Sequence, residues 1–215
     1  MTATRPHREP LLGRYVRLDP LTRSDLGALW EAIGHPEVFA LGFGGGPAGL
    51  PADAETFAAW LWNGWPHESG NSYVVRITHG PHRGEVVGTS TLAEFDERRE
   101  SAHLGWTAYA PRVWGTQVNP EAKLLLLGHA FAHGYGRVKI QTGTGNIRSR
   151  AAIEKLGAVF EGVTRREQPL ADGSWRDTAV YSVLAEEWPA VRAGLEARLE
   201  AWGERPVLYR SVPAE

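Results

Sequence analysis

Pro111-Arg-Val-Trp-Gly-Thr-Gln-Val-Asn-Pro-Glu-Ala-Lys-Leu-Leu-Leu-Leu127 places a glycine-containing loop directly before a well-marked helix start. Asn119 is a good N-cap, because its side-chain oxygen accepts a free backbone N–H, and Pro120 has the backbone angle of a first helical residue already set. A helix N-terminus presents unpaired N–H groups and the positive end of the macrodipole, so a loop folded over it can cradle a phosphate. An ordinary loop-to-helix junction has the same spacing, so the flanking sequence decides.

Upstream, Ser101 to Tyr109 alternates, with Ala102, Leu104, Trp106 and Ala108 on one face, and reads as a strand. Downstream, the helix runs to about Gly134, and Arg137 to Thr142 is a second strand. Asn146 to Gly162 then supplies a short helix closed by Gly157 and another strand. Gly143-Thr-Gly145 hints at a dinucleotide loop, but the third glycine of that fingerprint is replaced by Arg148.

From Tyr15 to Pro189 the chain resembles the GCN5-related N-acetyltransferase (GNAT) superfamily, and most closely its ribosomal-protein alanine acetyltransferase-like branch. The carriers are Trp114-Gly-Thr-Gln-Val-Asn119 with Glu121-Ala-Lys-Leu-Leu-Leu-Leu127, Asn146-x-Arg-Ser-Arg150 with Leu156-Gly157, and Glu161-Gly162. Against the superfamily loop pattern Arg/Gln-x-x-Gly-x-Gly/Ala, this chain has Trp114 at the first position, Gln117 at the central glycine and Asn119 at the last. The resemblance implies an α/β (α+β) fold: a mixed, strongly twisted sheet of six to seven strands with helices on both faces. It also implies acetyl-CoA, or another acyl-CoA, as co-substrate, with no metal.

Composition agrees with one enzyme-sized unit. At 215 residues, 42% apolar and 22% charged, the chain is globular rather than disordered. A net charge of −2 gives no electrostatic case for nucleic acid or an anionic membrane. No apolar run is long enough to span a bilayer and no signal-peptide pattern opens the chain, so a cytoplasmic location is expected. With no cysteine, thiolate metal sites and an acyl-cysteine relay are excluded, and acyl transfer is direct or through another nucleophile.

Residues 1–12 read as an untethered polar arm, residues 13–186 as the catalytic domain, and residues 187–215 as an amphipathic helix and tail packed on it. Thr22 caps a helix carrying Leu26, Leu29, Trp30 and Ile33; Gly42 to Pro51 is a flexible segment that connects helices or forms a lip over the acceptor; Asp53 starts a helix to about Trp65. Trp62 and Trp65 are candidates for the acceptor cleft, against buried packing for at least one. Asn71 to Thr78 and Glu85 to Phe95 form a hairpin about the Gly80–Gly84 turn. A second hairpin, Ala158–Arg165 with Thr178–Leu184, turns at Asp172-Gly173. The stripe Trp188, Val191, Leu195, Leu199 and Trp202 packs on the domain, with a homodimer contact as the second use.

Glu94 shares a face with Gly88, Ser90 and Leu92, and the resemblance makes it a candidate base or amine ligand, against a solvated strand end; His103 is its rival. By the same resemblance, Trp106, Thr107 and Ala108 give main-chain contacts to the pantetheine arm, with the Trp106 or Thr107 amide close to the thioester carbonyl. Backbone amides of Trp114, Gly115, Thr116, Gln117, Val118 and Asn119 hold the diphosphate, Asn146 binds pantetheine, and Arg148 and Arg150 pair with phosphates. Many relatives carry a tyrosine acid at the position of Ile153, and here Ser149 or a water takes that role beside the thiolate.

The implied reaction is acetyl transfer to a primary amine, on a small molecule or a protein N-terminus, by direct attack in a ternary complex. Deprotonating a lysine-like amine at neutral pH costs roughly 4 kcal/mol and a peptide α-amine about 1, so a chain without an unambiguous base fits the second better. A catalytically silent CoA-binding sensor or scaffold of the same fold is the alternative. Acceptor, acyl chain length and oligomeric state have no sequence signature.

Overall fold

The computed structural model describes residues 3–210. Eight strands form one sheet in the order β1-β2-β3-β4-β5-β6-β8-β7: β1 Leu11–Leu12, β2 Val16–Pro20, β3 Asn71–Ile77, β4 Val86–Asp96, β5 Ser101–Tyr109, β6 Arg137–Gly143, β7 Val159–Pro169 and β8 Trp175–Leu184. Every neighbouring pair is antiparallel except β5 and β6. The count exceeds the six to seven expected because the two-residue β1 lies in the stretch read as a free arm.

That arm is docked, which corrects the expectation for the described part of residues 1–12. Ala3 is buried, the Thr4 amide donates to the His133 carbonyl, and the Asn71 side chain donates to the Pro6 carbonyl. Arg5 and Arg8 both donate to the Glu68 carbonyl. Polar composition concealed the docking because the contacts use the arm's main chain and its arginine side chains, which carry no apolar pattern. Met1, Thr2 and residues 211–215 lie outside the described residues.

Helices α1 (Leu26–Ile33) and α3 (Ala54–Gly64) pack together over β4 on one face; α2 (Pro36–Phe39) lies between them in the chain. Helix α4 (Val118–Ala132) covers β2, β4 and β5 from the other face, with α6 (Trp188–Glu200) across it and α5 (Ile147–Leu156) alongside α6. From α6, Val191, Leu195 and Leu199 are buried, and Trp188 stacks on Phe131. Among the described residues no helix is long and apolar enough to cross a membrane.

A buried carboxylate ties α4 to the start of the sheet. Glu121 accepts the amides of Arg14 at 2.8 Å, Tyr15 at 2.6 Å and Val16 at 2.6 Å. Burial still holds its pKa above the ordinary value, against the pull of the three amides. Gly13 makes the approach feasible, since a Cβ there would lie 2.4 Å from the Glu121 carboxyl carbon.

Helix α5 begins as its sequence signals demand. Asn146 Oδ1 accepts the Ser149 amide at 2.9 Å, and Gly157 closes the helix at φ +100°. Asn146→Ala is expected to lower stability by about 0.5–2 kcal/mol in a denaturant titration.

Candidate active site

The parallel pairing of β5 and β6 is confined to Ser101↔Arg137, Ala102↔Val138 and His103↔Lys139. Beyond His103 the strands part, β6 continuing on β8 and β5 on β4. The edge of β5 from Leu104 to Ala108 that faces β6 is left without a strand partner. A cavity of about 740 Å³ occupies the gap, lined by Trp106, Thr107 and Ala108 on one side and by Ile140, Thr142 and Gly143 on the other.

Two bulges aim side chains into this cavity. Opposite Ser90, β5 holds one residue too many, and Trp106 takes φ +47°. Near the end of β4, two residues lie between Ala93 and Asp96 against one between His103 and Ser101, and Glu94 takes φ +51°. A regular strand would put Glu94 on the Leu92 face. The bulge instead turns its carboxylate to His103, the cross-strand partner of Ala93, which corrects the face read from alternation.

Glu94 Oε1 lies 3.2 Å from His103 Nδ1, and Glu94 Oε2 accepts from Lys139 Nζ at 2.8 Å. His103 and Lys139 are register partners, so the three groups form one row across β4, β5 and β6. His103, chiefly, and then Lys139 hold the Glu94 carboxyl down at about 2. Burial pushes the His103 pKa below 6.5, and this outweighs the upward pull of Glu94. Burial therefore favours the neutral imidazole. The 3.2 Å approach is close but misaligned, and neither ring nitrogen of His103 forms a hydrogen bond within the described protein. Gly105 makes room for the ring, since a Cβ there would meet Nε2 at 2.9 Å.

At the other end of the cavity is the loop before α4. Helix α4 starts at Val118 with Gln117 as N-cap, so Asn119 sits in the first turn rather than at the cap. Three of the five amides from Trp114 to Val118 have protein acceptors: Trp114 donates to the Pro111 carbonyl, Thr116 to the Val113 carbonyl, and Val118 to Thr116 Oγ1 at 3.4 Å. The amides of Gly115, at φ +76°, and Gln117 have no acceptor among the described residues, nor does that of Asn119. Trp114, Gly115 and Asn119 line the cavity, whereas Thr116, Gln117 and Val118 do not. The Gln117 side chain donates to the Arg205 carbonyl, so it bonds to the C-terminal tail.

Asn146, Arg148 and Ser149 line the cavity from α5. The Asn146 amide donates to the Gly143 carbonyl and its side-chain oxygen caps the helix, leaving Nδ2 as its free donor. Arg148 lies over the Trp114 ring at 3.5 Å and so bridges the gap between α5 and the loop. Arg150 turns away, its Nε donating to Tyr181 Oη at 3.0 Å, which corrects its grouping with the phosphate ligands. Ile153, also on α5, lines the cavity.

The roof opposite α4 is aromatic. Phe43, Trp60 and Trp65 pack edge-on at about 6.1–6.2 Å and line the cavity, while Trp62 lies outside it, tilted against His67 and under Arg23. The Gly42–Pro51 segment touches the second hairpin, where the Ala171 amide donates to the Gly45 carbonyl. Gly45, Leu170 and Ala171 line the cavity at this contact.

Residues 16–159 match the model of the acetyltransferase (GNAT) domain. The chain belongs to the GNAT family. It is 30% identical over 106 residues to a Bacillus subtilis protein described as "Putative ribosomal N-acetyltransferase YdaF", within the expected branch. That match covers 49% of the chain and 57% of the relative, so the chain spans little more than half the length of that curated protein. Among solved structures it is similar to a GCN5-related N-acetyltransferase from Brucella melitensis, with a TM-score of 0.81 at 28% identity over 91% of this chain and 87% of the other. A T. thermophilus protein described as a "putative acetyltransferase" gives 0.75 at 39% identity over 89% of this chain and 97% of the other.

Sequence reasoning missed one member of the site, Lys123. It is buried, lines the cavity and donates to Thr107 Oγ1 at 3.0 Å. Its signal was a single lysine on the stripe that Leu126 and Leu127 continue into the core.

Proposed function

We propose that the chain transfers an acetyl group from acetyl-CoA to a primary amine by direct attack, with His103 as the base. The observation that carries this reading is the parting of β5 from β6 at His103, which puts a bare strand edge, free loop amides and a neutral imidazole around one cavity. Free N–H groups at Gly115 and Asn119, which line the cavity at the positive end of α4, suit a diphosphate. The unpaired edge of β5 suits the amides of a pantetheine arm, as an added strand would. The Trp106 and Thr107 amides, beside the bulge, are the donors assigned to the thioester oxygen, where preorganised dipoles stabilise developing charge.

Glu94 is not the base in this reading. A carboxylate with a pKa of about 2 and a lysine partner is a poor proton acceptor near neutrality. It orients His103 and stabilises the imidazolium formed when the amine loses its proton. An imidazole with a pKa below 6.5 is well matched to an α-amine near 7.8 and poorly matched to a lysine near 10.4. The acceptor we infer is therefore an α-amine, of a peptide N-terminus or a small molecule, and the ribosomal N-acetyltransferase description of the relative supports the same class.

Thiol release from acetyl-CoA, measured with N-terminally free peptides and with Nα-blocked lysine peptides, tests the reading. Turnover at least about tenfold faster with the free α-amine is expected. Cofactor binding with no thiol release for any amine favours a CoA sensor instead.

A further inference from the structure

Lys123 has no role in the reaction as described so far. It projects from the second turn of α4, is 8% exposed, and its one hydrogen-bond partner among the described residues is the Thr107 hydroxyl. That hydroxyl is in turn bonded to Ser90 Oγ at 2.7 Å and donates to the Gly105 carbonyl. No carboxylate lies within ion-pair distance of Nζ among the described residues, and burial alone lowers its pKa to about 7. Two of its three N–H groups thus lack a protein acceptor while the side chain lines the cavity.

Strand geometry fixes the side from which it arrives. Ser90 and Leu92 are two residues apart on β4 and share a face; Ala93, with its partner His103, has the other. Since Thr107 joins Ser90 to Lys123, α4 and its lysine stand on the Ser90 face. His103 and Lys123 therefore approach the gap in the sheet from opposite faces. Thr107 is four residues beyond the point where β5 and β6 separate, beside the bulge assigned to the thioester.

We propose that Lys123 is the general acid of the transfer, protonating the CoA sulfur as it leaves, on the face of the sheet opposite the base. The proposal rests on the acetyl-transfer reading above. The neutral amine attacks the thioester carbonyl carbon and its proton goes to His103. The C–S bond breaks with its electron pair on sulfur, and an N–H of the Lys123 ammonium gives that sulfur its proton. The products are amide and CoA thiol; His103 then loses a proton to water and Lys123 regains one. The charged and titratable groups that line the cavity with the lysine are His103 and Tyr109 on β5, Glu94 on β4, Arg148 on α5, Arg176 on β8 and Arg198 on α6, with Lys139 beyond Glu94. None of these charges contributes appreciably to the lowered pKa of Nζ, which burial alone sets.

The test follows thiol release from pH 6 to 9.5 with an α-amine peptide, alongside CoA affinity by calorimetry, for the wild type, Lys123→Met and Lys123→Arg. Methionine preserves side-chain length and removes a buried charge, and arginine keeps a charge that does not titrate in this range. The acid must be protonated to act, so wild-type kcat falls as pH rises through the lysine's pKa. Lys123→Met is expected to lower kcat at least tenfold with CoA affinity changed less than threefold, and both variants to lose the alkaline fall. A methionine variant with unchanged kcat and the alkaline fall intact overturns the proposal. So does a loss of CoA affinity that accounts for the whole effect, which would make Lys123 a cofactor ligand. Wild-type protein that binds CoA and releases no thiol rejects the transfer reading itself, and this assignment with it.

Discussion

His103→Gln is expected to lower kcat by about 10²- to 10⁴-fold while leaving CoA affinity within a few-fold of wild type, the range set by loss of a positioned base. The ring is buried, has no hydrogen bond among the described residues and stands where β5 and β6 separate, so glutamine keeps the volume and removes the proton acceptor. The pH dependence gives the sign. With His103 as the proposed base, activity is expected to fall as pH drops through its pKa, which burial lowers. Glu94→Gln removes the anion that favours the imidazolium and leaves Lys139 unpaired beside it; both changes lower the imidazole pKa further. The acid limb of kcat/KM is therefore expected at lower pH in Glu94→Gln, with a smaller loss of kcat than in His103→Gln. A limb that stays in place, or a larger loss at Glu94, would transfer the role of base to the carboxylate.

The second large effect is on stability. Glu121→Gln keeps the shape of the side chain but exchanges one acceptor oxygen for an NH2 group that meets amide donors head-on. The wild-type carboxylate accepts three backbone amides of the β1–β2 turn from inside the core. Leaving one or two of these buried donors unsatisfied costs about 1–3 kcal/mol each. At about 2–4 °C per kcal/mol for a chain of this size, the melting temperature is expected to fall by roughly 5–10 °C. A shift under about 2 °C by calorimetry would mean that water replaces the carboxylate and that the clasp is not structural.

Much of this architecture is legible in the residues, because the signals that carry it are local. The strand at Ser101–Tyr109, though not its two-face alternation past the bulge at Trp106, the cap at Asn146 and the left-handed closure at Gly157 each depend on neighbours a few residues away. Non-local features were not legible. The face of Glu94 is reversed by a bulge that exists only in the pairing of β4 with β5, and the docking of residues 3–12 uses carbonyls whose partners lie more than 60 residues on. Asn119 has the character of a cap, yet α4 starts before it at Val118, with Gln117 buried against the tail. Lys123 and Glu121 are two charges on one buried helix, and each is explained only by the strand it meets.

The central claim is that free amides before α4 and the bare edge of β5 together hold acetyl-CoA. Backbone amide shifts in an ¹H–¹⁵N correlation spectrum, recorded as CoA is added, test it residue by residue. The largest changes are expected at Gly115 and Asn119 and along Leu104–Ala108, with Trp114 and Thr116, already bonded within the loop, moving less. Saturable binding that leaves those signals in place and perturbs another surface would contradict it.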